Sequence, residues 1–261
     1  MVVGLTLLVG LASANGSPDE GRLTLATVSM LLSQLSIGWS NDYLDRNRDA
    51  LHQPEKPLPS GLVAPGLLLV LTPVAFAASA SAAATLGVDV LALLIAGTAC
   101  GFAYNLFLKD TPLSWTAYVA AFALLPPFVW TALNEYRGEF LWLYALGAPL
   151  AVAAHVANTL PDIEADAAAG GGGLVVRLGR FRALVLLFAC LVAPAAIVAL
   201  SLIWVEYTAP TLALSLLAYG ALVIAAALAY RSEPFAAGAA RAFRIIGPAA
   251  ILLVTGWLAA L

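Results

Sequence analysis

Five of the eight aspartates in this 261-residue chain fall in two short stretches, NDYLDRNRD (residues 41–49) and NTLPDIEAD (residues 158–166). Both stretches repeat one spacing: Asn41, Asp45 and Asp49 in the first, and Asn158, Asp162 and Asp166 in the second, each four residues apart. On an α-helix that spacing aligns three side chains along one face, with neighbouring Cβ atoms about 6 Å apart. Carboxylates stacked in this way repel one another unless a cation lies among them. Amide and carboxylate oxygens suit a hard divalent cation. Mg²⁺ takes a few carboxylates, keeps several waters and completes its shell with substrate phosphates, so the implied ligand is a diphosphate. Asp42 sits beside the first ladder, Glu164 lies off the face of the second, and Pro161 predicts a kink just ahead of Asp162. Either cluster alone reads equally well as a solvated helix end. Two ladders of one spacing, at the ends of helices running in the same direction, favour a shared site.

Cations accompany the acids. Arg46 and Arg48 lie inside the first stretch, Lys56 follows in EKPLPSG, and Lys109 ends helix four in AYNLFLKD. Positive groups beside a Mg²⁺–diphosphate site hold phosphate oxygens and stabilise a departing diphosphate. Arg177, Arg180 and Arg182 read as ordinary cytoplasmic anchors. Cys100 and Cys190 lie in apolar runs and read as small buried hydrophobes, with no disulfide or metal pair implied. The net charge of −3 is too small to imply a nucleic-acid partner, and no feature implies a protein partner.

The elements that must position these residues are apolar. The chain is 62% hydrophobic and 10% charged, and runs of about 20 apolar residues are long enough to span a bilayer as helices. Such runs lie near 23–40, 62–86, 88–108, 112–133, 140–160, 181–205, 207–230 and 242–261, and a shorter run over 2–14 brings the count to nine. The first run admits two readings, a signal peptide or a first transmembrane helix whose start is missing. The second is preferred because no Lys or Arg precedes its apolar part. The loops after helices two, four, six and eight carry ten of the twelve basic residues, and Arg22 and Arg137 lie on the other side. That bias predicts an integral protein of the plasma membrane with both aspartate stretches on the cytoplasmic side. Residues 41–61 and 161–180 read as its two largest cytoplasmic loops, and GGGG (170–173) reads as a mobile segment. A water-poor bundle interior also suits a carbocation, and Trp39, Tyr43, Phe102, Tyr104 and Phe107 are candidate aromatic faces for one. For each of them except Tyr104, packing or interface anchoring is the favoured reading.

These residues resemble the UbiA superfamily of intramembrane prenyltransferases. NDYLDRNRD matches that family's Asn-Asp-x-x-Asp-x-x-x-Asp pattern in full, and DIEAD matches its second Asp-x-x-x-Asp motif. KPLPSG resembles the segment after the first motif, with Lys56 where Arg is usual. YNLFLKD is similar to the Tyr-x-x-x-Leu-Lys-Arg stretch, with Asp110 where Arg is common, and VVRLG resembles the segment after the second motif. The resemblance implies one all-α membrane domain over residues 1–261, a bundle of about nine helices around a central cavity that opens laterally to lipid. It implies Mg²⁺-dependent transfer of an isoprenyl group from an isoprenyl diphosphate to an aromatic or other small acceptor. It implies Asn41, Asp45, Asp49, Asp162 and Asp166 as metal ligands. Asp42, Asp45, Asp162 and Tyr104 become the catalytic set, and Asn41, Arg46, Lys56, Lys109 and Asn158 the diphosphate-binding set.

Three competing readings remain. A secondary transporter or cation carrier would bind its ion to intramembrane carboxylates, but such sites usually lie at the bilayer midplane rather than at helix ends. A CDP-alcohol phosphotransferase also uses Mg²⁺ and aspartates, yet its compact motif is absent. A non-catalytic family member is the third. His155, one turn before Asn158, reads as a hydrogen-bonded packing residue in preference to an acceptor contact.

Overall fold

The computed structural model describes residues 1–13, 18–136 and 138–261. Ala14 and Arg137, both used in the reading above, lie outside the described residues. The described residues form helices and connecting turns, without strands. The helices are α1 (Val2–Ser13), α2 (Glu20–His52), α3 (Pro65–Leu86), α4 (Val88–Ala103), α5 (Ser114–Leu133), α6 (Trp142–Thr159), α7 (Ile163–Ala168), α8 (Leu174–Ser201), α9 (Ala209–Ala229) and α10 (Phe235–Ala260). Among the described residues, eight helices are long and apolar enough to cross a membrane. The run counted as the first of nine spans forms α1, whose 12 residues reach about 18 Å, short of the hydrocarbon thickness.

Local signals set the ends. Asp19 caps α2 by accepting the Arg22 N–H at 2.9 Å, satisfying one of the orphan donors of the first turn. Pro65 starts α3 at a position where a missing N–H costs nothing. Pro161 ends α6, and a 3₁₀ turn over Leu160–Asp162 leads into α7. Arg22 joins three helices. Its Nε donates to the Ala132 carbonyl at 2.5 Å and its Nη2 to the Leu86 carbonyl at 3.2 Å, tying the ends of α5 and α3 to the start of α2.

With lipid outside, burial of apolar surface drives little of the helix association, so close packing and interhelical hydrogen bonds carry it. Accordingly, Leu67, Leu69, Val70 and Val74 of α3 face outward. The α2–α3 seam carries a reciprocal pair, with Ser29 Oγ donating to the Ser79 carbonyl at 2.9 Å and Ser79 Oγ to the Ser29 carbonyl at 2.6 Å. Ser33 and Thr98 hydroxyls meet at 2.8 Å across the α2–α4 seam. These contacts fix the register of the helices that carry the site.

Two expectations change. Residues 41–52 are not loop: α2 runs unbroken to His52, because ladder-spaced acids paired with Arg48 and Lys109 remain on a helical face. The tetraglycine segment is packed rather than free. A Cβ on Gly172 would lie 2.7 Å from the Asp110 carbonyl oxygen, and one on Gly171 2.9 Å from that of Asp166.

Candidate active site

The two ladders face one polar chamber of about 180 Å³. Its walls include Asn41, Asp45 and Asp49 from α2, and Asn158, Asp162 and Asp166 from the end of α6, the 3₁₀ turn and α7. All six ladder residues therefore converge, although Pro161 divides the second ladder between three short segments. Asp42 points elsewhere and lines the neighbouring apolar cavity.

The carboxylates are partnered by the protein's own cations. Lys109, at the end of the π-helical extension of α4 (Tyr104–Leu108), donates to Asp45 and to the Asn41 Oδ1, the latter at 3.4 Å. Lys56 donates to Asp49 Oδ2 at 3.0 Å. Arg48 reaches both ladders: Nη2 lies 3.7 Å from Asp45, and Nη1 lies 3.3 Å from Asp166 and 3.6 Å from Asp110. Gln53 Nε2 donates to Asp162 Oδ1 at 3.2 Å, a second bridge between the ladders. Asp110, which stands where the resembling family commonly has Arg, thus holds a cation at the rim of the chamber.

Arg46 is placed differently from its expected role. It does not line the chamber; its guanidinium stacks 4.3 Å above the Tyr43 ring and donates to the Tyr43 carbonyl. Helical phase explains the exchange. Arg48 lies three residues after Asp45 and shares its face, whereas Arg46 is one residue on and rotated away. The phase was readable in advance; Gln53, beyond the ladder, carried no such signal.

A second, larger cavity of about 510 Å³ adjoins the chamber; α2, α4 and α5 supply most of its wall, and Met1, Val2, Val3, Ala154 and Phe243 complete it. Asn41, Tyr104 and Asn158 line both spaces and form their common boundary. Of the five aromatics named above, Tyr104 alone lines either space. Phe107 is 72% exposed and Phe102 packs edge-on against Phe76. Tyr118 of α5, which no motif marked, supplies the second boundary ring. It packs edge-to-face on Tyr104 with centroids 5.3 Å apart, and its hydroxyl accepts from Asn158 Nδ2 at 3.2 Å. His155 lies behind both rings, 1% exposed, with Nε2 hydrogen-bonded to Ser114 Oγ at 3.0 Å. It is a packing residue, as read from the sequence. Arg180 stacks 3.6 Å over the Phe235 ring and Arg177 donates to the Gly172 carbonyl at 3.0 Å, so neither enters the chamber.

The donor set fits Mg²⁺: hard carboxylate and amide oxygens around a small polar space. Among the described residues no three acidic or histidine side chains converge closely enough to enclose a metal unaided. Mg²⁺ needs no such cage, since it binds through one or two carboxylates with waters and substrate phosphates filling the remaining positions. Geometrically, then, a small chamber walled by carboxylates, amides and cations lies beside an apolar cavity, with Asn41, Tyr104 and Asn158 lining both.

Known proteins are similar to this chain in sequence and in fold. Digeranylgeranylglyceryl phosphate synthase of Natronomonas pharaonis is 28% identical over 183 residues, covering 69% of this chain and 65% of that protein's own length. The enzyme of the same name from Methanopyrus kandleri is 27% identical, covering 70% of this chain and 67% of its own. In three dimensions, a UbiA homologue from Aeropyrum pernix K1 superimposes with a TM-score of 0.72 at 19% identity, over 95% of this chain and 94% of that one. A UbiA homologue from Archaeoglobus fulgidus, bound to DMAPP and Mg²⁺, superimposes with a TM-score of 0.70 at 16% identity, over 95% of each chain. The model of the UbiA prenyltransferase family matches residues 2–247, nearly the whole chain. With that match and the shared fold, the chain belongs to the UbiA prenyltransferase family.

Proposed function

We propose that this chain transfers an isoprenyl group from an isoprenyl diphosphate to a small nucleophilic acceptor, with Mg²⁺, on the cytoplasmic face of the plasma membrane. The observation that carries the reading is the shared boundary: a diphosphate-sized polar chamber and a tail-sized apolar cavity meet at Asn41, Tyr104 and Asn158. The Archaeoglobus homologue bound to DMAPP and Mg²⁺ supports donor and metal. The names of the curated relatives make a prenylated glyceryl phosphate the first acceptor to test.

In this reading Asn41, Asp45, Asp49, Asp162 and Asp166 hold the metal. When bound, Mg²⁺ neutralises the diphosphate and makes it a better leaving group. Lys56, Lys109, Arg48 and Asn158 take phosphate oxygens, the three cations turning from the carboxylates they now partner. Arg48 replaces Arg46 in this role. The C1–oxygen bond to diphosphate breaks at the boundary, where the Tyr104 and Tyr118 faces stabilise the allylic cation. The apolar cavity excludes water that would quench it. The acceptor oxygen or carbon bonds to C1, and its proton passes to Asp42, the carboxylate on the cavity side.

The test is binding and turnover with purified protein. Isoprenyl diphosphate is expected to bind only with Mg²⁺, and Asp45→Ala and Asp162→Ala are each expected to abolish product. Metal-independent binding, or full activity in either variant, contradicts the proposal.

A further inference from the structure

Behind the two boundary rings lies a buried polar pair that lines neither the chamber nor the apolar cavity. His155 and Ser114 are each 1% exposed, and His155 Nε2 meets Ser114 Oγ at 3.0 Å. Ser114 and Tyr118 are four residues apart on α5, and His155 and Asn158 are three apart on α6, so each pair shares a helical face. The faces meet in two hydrogen-bonded rungs, Ser114 with His155 and Tyr118 with Asn158. The imidazole also packs edge-to-face on both boundary rings, with centroids 5.0 Å from Tyr118 and 5.9 Å from Tyr104.

Filling space does not by itself explain an imidazole at this place. Its Nδ1 is buried without a hydrogen-bond partner among the described residues, a cost that leucine or phenylalanine would avoid. What the imidazole gains is one directed bond to a hydroxyl that is itself held. Ser114 Oγ accepts the Leu174 N–H at 3.4 Å. That N–H is an orphan donor in the first turn of α8, a helix with no side-chain cap of its own. Helices α5, α6 and α8 therefore meet at one hydroxyl, and His155 carries that fixed frame to the rings.

We infer that His155, tethered by Ser114, is a positioning residue for the reaction: it holds the Tyr104 and Tyr118 rings at the angle where their faces receive the allylic cation. Cation–π attraction acts over a ring face and not at its edge, so a small rotation of either ring weakens it. The inference rests on the donor reading above and goes beyond it, because His155 and Ser114 act on the cation only through the two tyrosines.

The experiment needs no acceptor. Geranyl diphosphate carrying heavy oxygen at the bridge to C1 is incubated with the purified full chain and Mg²⁺ in detergent. Breaking the C1–oxygen bond gives the allylic cation and diphosphate, and return through another oxygen of the α-phosphate moves the label to a non-bridging position. The exchange rate reads ionisation, and equilibrium binding of the same donor reads the chamber. His155→Leu and Ser114→Ala are each expected to slow exchange about tenfold, the scale of loss for a misplaced group, with donor affinity within about twofold of wild type. The double variant should be no slower than either single one, because both break the same link. His155→Gln keeps a nitrogen within reach of the Ser114 hydroxyl and should exchange within about threefold of wild type. Wild-type exchange in His155→Leu, multiplied losses in the double variant, or equal losses with Gln and Leu overturn the positioning role and leave the donor reading standing. A loss of donor affinity as large as the loss of rate does the same, since general disruption of the bundle gives that pattern. If His155→Leu does not fold, Ser114→Ala decides on the same two readouts. Wild-type protein that binds no donor with Mg²⁺, or binds it without exchange, overturns the donor reading and the positioning role with it.

Discussion

Replacing Arg48 by methionine separates the roles of metal and diphosphate, because the two ligands should respond with opposite sign. Arg48 lies 3.3 Å from Asp166 and 3.7 Å from Asp45, with 27% of its side chain exposed. At an effective dielectric of about 20, a unit pair at the shorter distance attracts by about 5 kcal/mol. Desolvation and side-chain ordering reduce the net worth of such a half-buried pair to about 2 kcal/mol. On the proposed function, Arg48 competes with Mg²⁺ for these carboxylates when substrate is absent. Removing it should therefore tighten binding of Mg²⁺ alone, by up to about 30-fold for 2 kcal/mol. With isoprenyl diphosphate present, the same change removes a phosphate ligand, and kcat/KM should fall about 100-fold, the usual loss for one preorganised charge-stabilising group. Arg46→Met is the control, since Arg46 is held on Tyr43 outside the chamber; its kcat/KM should stay within about threefold of wild type. Titration calorimetry with Mg²⁺, followed by steady-state kinetics with labelled donor, reads both effects. If Mg²⁺ affinity and kcat/KM fall together in Arg48→Met, or if Arg46→Met is the more damaging change, the assignment of Arg48 is wrong.

Two further outcomes follow from the packing around the chamber. Gly172→Ala places a Cβ 2.7 Å from the Asp110 carbonyl oxygen, which must push the turn carrying Lys109 away from Asp45. The expected result is about a tenfold loss of kcat/KM with little change in thermal stability, and wild-type kinetics would refute a positioning role for the tetraglycine. At the boundary, Tyr104→Phe keeps an aromatic face and should retain most turnover, whereas Tyr104→Leu should lose about 10- to 30-fold, matching a desolvated cation–π contact of up to about 2 kcal/mol. Equal losses in the two variants, measured as single-turnover rates, would assign the effect to the hydroxyl or to packing.

Much of the site was written in one dimension. Apolar runs of membrane-spanning length require helices, since hydrocarbon leaves no other way to satisfy the backbone. A four-residue recurrence places Asn41, Asp45 and Asp49 on one helical face whatever the helix packs against. Helix parity then sends both ladders to the same end of the bundle, so their convergence on one chamber was foreseeable. Pro161 announced the break that the 3₁₀ turn realises. Even the exchange of Arg46 for Arg48 lay in the helical phase, once α2 is known to continue through the ladder.

Tertiary structure decided the rest, because it depends on side chains that are remote in sequence and carry no shared pattern. Tyr118 is one aromatic among many on an apolar helix, and it becomes part of the boundary through its contacts with Tyr104 and Asn158 on two other helices. GGGG reads as slack chain until the Asp110 and Asp166 carbonyls are found against it. The shape of the apolar cavity depends on the relative register of α2, α4 and α5, which the Ser33–Thr98 and Asn105–Ile37 hydrogen bonds fix. Spacing within a helix orders side chains along that helix, whereas which residues of α2, α4 and α5 come to line one cavity is a property of the helices packed together.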